Sequence, residues 1–298
     1  MFIYDQARFP GAVLQIMQDF GDKAEKVDVG QWQGLDVRGD SQKVTWELRE
    51  AVLRVGMPDS IEGAQRLIQP NLPWAEDHFN ERVDGQPLNP PPSHRWWPFA
   101  QNGHAEHLKV GMFSHTYPKR FWPKHAGHAE GNCPRENGWD GREGFPCDWG
   151  NRKGIRFSYG DYRDVVERLV DNPMTRQAYL PVWFPEDTGA PKGERVPCTL
   201  GYLFLVRNGK LHLTYHIRSC DFMRHFRDDV YMGIRLAQHT VELMNYDRTA
   251  RDLEPFGVGE LTMHIGSFHI FEGDRQMLQH QLAWLRGAEN SRLLEGLS

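Results

Sequence analysis

The chain has only four cysteines in 298 residues. A disulfide framework belongs to short secreted chains dense in cysteine, so Cys133, Cys147, Cys198 and Cys220 read as thiols or ligands. It also has no stretch approaching the roughly 20 apolar residues of a membrane span, so no membrane partner is expected. The start, Met1-Phe-Ile-Tyr-Asp-Gln, lacks the basic region and long apolar run of a signal peptide, which leads to the expectation of a cytoplasmic protein. Basic residues are not in excess: 35 Lys and Arg stand against 40 Asp and Glu, a net charge of -5. A duplex binder usually carries a basic face or tail, so direct duplex nucleic-acid binding is not expected, and a mononucleotide substrate stays open. Internal repeats and low-complexity tracts are missing too, which excludes solenoid and propeller architectures.

What is present is 39% hydrophobic and 12% aromatic residues, enough to bury a sizeable core in one domain over residues 1–298. Residues 70–155 are crowded with Pro, Gly, His, Trp and charge, as in Asn89-Pro-Pro-Pro-Ser-His-Arg-Trp-Trp-Pro98, and read as a Trp/Pro/Gly-rich loop insert. From Ile155 onward the pattern is regular. Val165, Val166, Leu169 and Val170 at helical spacing predict a helix over 161–171, stopped by Asn172-Pro173. Residues 177–184 read as a strand. Asn208-Gly209 between two β-rich runs predicts a type I′ hairpin, with Cys198 entering it and Arg218 leaving it. A helix over 229–245, a strand over 261–271 and a helix from Asp274 complete an α+β chain with a mixed sheet covered by helices.

Arg195-Val-Pro-Cys198-Thr and Arg218-Ser-Cys-Asp221 set a thiol beside guanidinium, hydroxyl and carboxylate groups. A free thiol is only a few per cent thiolate at neutral pH, and a nearby Arg lowers its pKa, so this grouping suits covalent chemistry on an anionic substrate. A buried cysteine in a strand beside a surface arginine fits the same residues.

Tyr159-Gly160, Asn172-Pro-Met-Thr-Arg176-Gln, Trp183-Phe-Pro-Glu-Asp, Pro197-Cys198, Arg218-Ser219-Cys-Asp221 and Gly266-Ser-Phe-His269-Ile-Phe271 follow one another in the order and approximate spacing of the thymidylate synthase superfamily. The resemblance covers roughly residues 155–275, and it rests on several short motifs agreeing in order. The first half looks more like the divergent nucleotide-modifying members found in bacteriophages, which would place the protein in a host cytoplasm. The resemblance implies a thymidylate synthase-like fold, 5,10-methylenetetrahydrofolate as cofactor and a homodimer with shared sites. Cys198 matches the nucleophile that adds to C6 of a pyrimidine. Arg218 and Ser219 match phosphate-binding residues, Arg176 an arginine sent to the partner's phosphate, Tyr159 a member of the polar network for C5 proton removal, Asp221 the carboxylate on the pterin and His269 a ribose contact.

Departures from the family pattern carry the finer expectation. Eleven residues after the motif arginine the methylating enzyme has an Asn; here that position is Asp229. A carboxylate complements the exocyclic amine and protonated N3 of cytosine and would repel the uracil O4, so the resemblance implies dCMP over dUMP, as in the family's dCMP hydroxymethylases. A helix N-cap at Asp228-Asp229 explains the same residues. Thr199 replaces a His, Gln177 a second Arg and Phe271 a Tyr, which leaves a ribonucleotide such as CMP open. The chain ends at Ser298 soon after its last predicted helix, where methylating members carry a sealing segment, which leans the expectation toward a hydroxymethyl product. The sealing role could instead pass to loops around Trp96, Trp97 and Trp122.

A carboxylate near the base is needed to relay protons. Glu76, behind the helix-starting Pro73, is the first candidate and Glu47 the second, although either also reads as a solvated helix glutamate. Arg38 is a loose candidate for a phosphate contact. His125, His128, Cys133 and Cys147 have the ligand chemistry of a structural zinc site stapling the insert, at irregular spacing. The expected function is C5 hydroxymethylation of dCMP through a Cys198 adduct. The alternatives are C5 methylation of dCMP or dUMP and a non-catalytic nucleotide or RNA binder.

Overall fold

The computed structural model describes residues 1–5, 9–32, 35–96, 113–123, 160–188 and 195–295. Nine strands are found there: β1 (Phe2–Asp5), β2 (Glu25–Val27), β3 (Gln31–Trp32), β4 (Leu35–Asp36), β5 (Thr45–Gly56), β6 (Tyr179–Pro181), β7 (Thr199–Arg207), β8 (Lys210–Asp221) and β9 (Gly257–Phe271). The helices are α1 (Phe9–Asp22), α2 (Ile61–Ile68), α3 (Trp74–Val83), α4 (Tyr117–Phe121), α5 (Tyr162–Asp171), α6 (Pro185–Thr188), α7 (Phe226–Ala250) and α8 (Glu272–Glu295), with short 3-10 turns at Ser41–Lys43 and Pro92–Trp96.

Seven strands form one mixed sheet in the order β1-β5-β9-β8-β7-β6, with β2 on the flank of β5. The β1–β5 and β8–β9 pairs are parallel and the others antiparallel. One face is apolar because the strands alternate. Leu211, Leu213, Tyr215 and Ile217 of β8 point into the core, while His212, Thr214, His216 and Arg218 lie half-buried between them. The same period places Leu261, Met263 and Ile265 of β9 and Ala51, Leu53 and Val55 of β5 on the inner face, so Leu53, Met263, Tyr215 and Tyr202 lie across from one another in register. At about 1.5–3 kcal/mol for each large apolar side chain removed from water, this row and the helices over it dominate the stability of the fold. Helix α7 lies over β8 and β9, and α1 over β5. One hydrophobic cluster runs from Tyr4 to Leu282.

The hairpin forms as its sequence predicts: Asn208 and Gly209 have φ of 51° and 72°, and Arg207 pairs with Lys210. Helix α5 starts where expected, the Asp164 carboxylate accepting the Asp161 N–H at 2.9 Å. The strand expected over 177–184 is reduced to β6, since the chain leaves the sheet after Pro181. The helix expected over 229–245 extends at both ends to Phe226–Ala250. Within 70–155 the described residues are not purely loop, because α3 and α4 pack there; residues 97–112 and 124–155 lie outside the described residues.

Candidate active site around Cys198

Cys198 sits on the lip of β7, just before a register shift between Thr199 and Gly201. Its carbonyl accepts the Arg218 N–H at 2.9 Å. The Arg218 guanidinium folds back onto the same loop, Nε donating to the Pro197 carbonyl at 2.9 Å and Nη2 to the Val196 carbonyl at 3.2 Å. It faces the Trp183 ring at 5.7 Å. Gly266 of β9 makes room for this strand end: a Cβ there would come 2.9 Å from the Arg218 carbonyl oxygen. The thiol is exposed on one side. Protein packed around the rest of the residue still pushes it above its ordinary value, more than Arg218 and Arg195 draw it down, while Asp229 and Asp221 add to the rise. The expectation that Arg218 activates the thiol is thus met in direction and outweighed in size.

Thr199 is fully buried and links two tyrosines, with hydroxyl contacts of 3.2 Å to Tyr117 and 2.9 Å to Tyr215. Tyr215 also hydrogen-bonds Asp229, whose Oδ2 takes the Cys220 thiol at 3.6 Å. Asp229 is therefore bound into a buried network beside Cys198. Burial pushes its carboxyl up to about 7, against the pull of Arg82 and with a push from Asp228. The neighbouring Asp228 has a different role: it accepts the Asn71 N–H at 2.7 Å and ties α7 to the approach of α3. Of the two adjacent acids, Asp229 is the one that belongs to the Cys198 network.

Asp221 ends β8, paired across the sheet with His269 of β9. Its Oδ1 accepts the N–H groups of Met223 and Arg224 at 3.0 and 3.1 Å, and its Oδ2 takes the Arg224 guanidinium at 2.9 Å. Arg224 also reaches Asp274 at 2.9 Å and covers the Phe271 ring at 4.9 Å. Burial holds the imidazoles of His225 and His269 below the usual value, with Asp221 opposing. Ser219 lies half-buried on β8 opposite Ser267. Thus Arg218, Ser219 and Asp221 of β8 and His269 of β9 meet Cys198, on the segment entering β7, and Asp229, at the start of α7. His115 and Ser114 support this lip from the N-terminal half, both on the Arg195 carbonyl, at 3.1 and 2.9 Å.

Other expected residues fall elsewhere. Glu76 is tied to α7, accepting the Tyr231 hydroxyl at 2.6 Å and pairing with Arg235 at 2.8 Å. Burial raises its carboxyl, but hydrogen bonds from Arg235 and Tyr231 outweigh this and hold it below its ordinary value. Tyr231 is about 200° around the helix from Asp229 at 100° per residue, so Glu76 faces a different side of α7. Glu47 is on β5, not on a helix, and lies across from His269. Arg176 is exposed on the turn between α5 and β6 and makes no hydrogen bond or ion pair among the described residues. Gln177 accepts from Arg168 at 3.0 Å. Arg38 is exposed and paired with Asp36. Trp122 is no lid: it is buried and its indole N–H donates to the Arg82 carbonyl at 2.8 Å. Tyr159, Trp97, His125, His128, Cys133 and Cys147 lie outside the described residues, as does the Trp96 side chain.

The side of α3 that meets the site carries His78 and Arg82, one turn apart. His78 stands edge-on to Tyr117 at 5.9 Å, hydrogen-bonds Ser93 at 3.1 Å and is pushed down to about 4 by burial. Arg82 lies over the Tyr117 ring at 3.9 Å. Sequence reasoning passed over both; the available signal was a charged residue repeating at helical spacing on the apolar side of α3.

Residues 147–291 match the thymidylate synthase family model. A "Putative thymidylate synthase" from Methanothermobacter thermautotrophicus is 27% identical over 144 residues, 48% of this chain and 59% of the relative. Its namesake from Methanothermobacter marburgensis is 30% identical over 134 residues, covering 45% and 54%. Another, from Methanosarcina acetivorans, is 32% identical over 117 residues, covering 39% and 48%. The chain spans about half the length of the curated relatives it matches. The matched stretch includes Cys198, Arg218, Asp221, Asp229 and His269, so the part of the chain that carries the site is similar to the thymidylate synthase family.

Proposed function

We propose that the protein transfers a one-carbon unit from 5,10-methylenetetrahydrofolate to C5 of a pyrimidine nucleoside monophosphate, and that the product is 5-hydroxymethyl-dCMP. The observation carrying this reading is the half-buried Asp229 carboxylate in the hydroxyl network beside the exposed Cys198. Cys198 Sγ adds to C6, which makes C5 electron-rich enough to form the new carbon–carbon bond. Arg218 has the charge to draw the thiol toward thiolate as substrate enters, and the substrate phosphate is its complement. Asp229 accepts the exocyclic amine of cytosine. His269 and Ser219, at the parallel ends of β9 and β8, suit the sugar and phosphate.

The folate supplies the carbon and is held, on this reading, at the Asp221 end of the sheet. The fit is reasonable, because a carboxylate offers about four acceptor sites and three N–H groups occupy Asp221. A homodimer accords with the sheet face away from α7, where Leu203, Leu205, Thr214 and His216 are only half-buried and His216 stacks on the exposed His264 at 5.1 Å. Arg176 is then available to the partner's phosphate.

The test is incubation with dCMP carrying tritium at C5 and methylenetetrahydrofolate. Tritium release with a product heavier by a hydroxymethyl group supports the reading. A methyl product would replace it with C5 methylation, and absence of release with any pyrimidine monophosphate would leave a binding protein.

A further inference from the structure

Cys198 is exposed, yet it stands between two buried residues, Pro197 and Thr199. Every carbonyl of the stretch 195–198 is engaged from outside it. Arg218 takes three of them, with its Nη2 on Val196, its Nε on Pro197 and its own N–H on Cys198. The Arg195 carbonyl is held from the N-terminal half instead: it accepts the Ser114 hydroxyl at 2.9 Å and the His115 Nδ1–H at 3.1 Å. The proposed chemistry gives these two side chains no task.

The segment that carries Ser114 and His115 is itself anchored. Asn89, which is buried, bonds both backbone groups of Phe113, its Nδ2 donating to the carbonyl at 2.9 Å and its Oδ1 accepting the N–H at 3.0 Å. Thr116 Oγ1 donates to the Leu88 carbonyl at 2.7 Å. Farther along, the buried Arg120 pairs with Asp187 through both Nη atoms, at 3.0 and 2.8 Å. From the same ledge Tyr117 meets the hydroxyl of Thr199 at 3.2 Å. Cys198 is thus bracketed, by Ser114 and His115 on the residue that opens its loop and by Tyr117 on the residue that follows it.

A carbonyl oxygen only accepts, so His115 Nδ1 carries a proton in either charge state of the ring. Burial, with the charges of Arg120, Arg195 and Arg218, holds the imidazole well below its ordinary value, which leaves it uncharged near neutral pH with its lone pair on Nε2.

We propose that Ser114 and His115 are positioning residues for the nucleophile: by holding the Arg195 carbonyl they fix the start of the 195–198 stretch, and with it the line along which Cys198 Sγ meets C6. The inference rests on the reading of Cys198 as the nucleophile. Its physical basis is that attack needs the reacting atoms about 3–3.5 Å apart and aligned, which a stretch outside any strand or helix does not secure unaided. His115 moves no proton in this role. It is a donor to the backbone.

The experiment measures C5 tritium release by variants at the two positions, with dCMP or dUMP, whichever the parent turns over. Ser114→Ala with His115→Phe removes both donors and should lower kcat about 10- to 100-fold. KM should stay within about threefold of the parent, since neither side chain holds the nucleotide. Ser114→Ala with His115→Asn returns a donor at the Nδ1 position and should bring kcat back to within about threefold; Ser114→Ala with His115→Gln, whose amide reaches the Nε2 position, should not. The pH profile of kcat should keep the same limbs in the Asn variant as in the parent. If the Phe variant does not fold, the contrast between Asn and Gln carries the test. Full kcat in the Phe variant, equal rescue by Asn and Gln, or a pH limb lost with the imidazole would overturn the inference alone. Absence of release by the parent, or release that survives Cys198→Ala, would overturn the functional reading and this inference with it.

Discussion

The guanidinium of Arg218 is held by two backbone carbonyls of the loop that carries Cys198, Pro197 at 2.9 Å and Val196 at 3.2 Å. Arg218 therefore acts on the thiol in two ways, by charge and by fixing the loop.

Replacing Arg218 by Met removes the largest attraction that opposes the burial-driven rise of the thiol. The thiol should titrate higher still, and alkylation of Cys198 by iodoacetamide near neutral pH should slow by about 3- to 10-fold, since reactivity follows the thiolate fraction. The pH profile of alkylation checks this. An unchanged midpoint would mean that the loop geometry, and not the charge, is what Arg218 provides.

Cys198→Ala should abolish C5 tritium release while leaving the melting temperature within about 2 °C of the parent, because the side chain is exposed and small. Calorimetry beside the release assay separates the two effects. Release that survives the substitution would eliminate the covalent route.

Asp229→Asn should move the preference from dCMP toward dUMP, because the amide presents a donor as well as an acceptor. Its expected size is about 10-fold or more in the ratio of kcat/KM values. Steady-state kinetics on both nucleotides is the measurement, and equal ratios in parent and variant would remove Asp229 from base reading.

Glu76→Gln should cost stability and spare the chemistry. The carboxyl is held below its ordinary value in the fold, so its contribution is fully present above the unfolded-state pKa and is lost as pH falls through the lower folded-state value. A loss of about 1–2 kcal/mol is expected at pH 7, from the ionic hydrogen bonds to Arg235 and Tyr231, shrinking in acid. Urea melts at two pH values test it. A kcat drop larger than about 10-fold with unchanged stability would restore Glu76 to the reaction.

The hairpin, α5 and the end of the sheet were legible because each is written locally: Asn208-Gly209 needs positive φ, and the apolar positions of 162–171 repeat at helical spacing. Cys198, Arg218 and Asp221 were legible for a related reason, since one hairpin brings them together. The surroundings of Glu76 were not legible, because helix position alone does not fix which side a residue faces; the Tyr231 and Arg235 partners lie 155 and 159 positions later in the chain. Arg82 was hidden for the same reason. Its place depends on the Tyr117 ring, which nothing in the local sequence links to it. Strand β5 was missed because Glu47, Arg49, Glu50 and Arg54 interrupt the apolar alternation of its 12 residues; Arg49, Glu50 and Arg54 stay exposed on a strand whose backbone is paired to β9 and to β1.

The parallel run of β8 beside β9 has a further effect. Parallel neighbours cannot be joined by a tight turn, so the chain must cross through α7 and the segment after it before β9 begins. Both strands then finish at the same rim, Asp221 against His269 and Ser219 against Ser267. Residues nearly fifty positions apart in the chain are fixed as neighbours by backbone hydrogen bonds, and the stretch from Arg251 to Phe256 that closes the crossover is bypassed by those bonds. Length changes in that stretch are therefore tolerated at the far end of the sheet without altering the spacing of the groups at the rim.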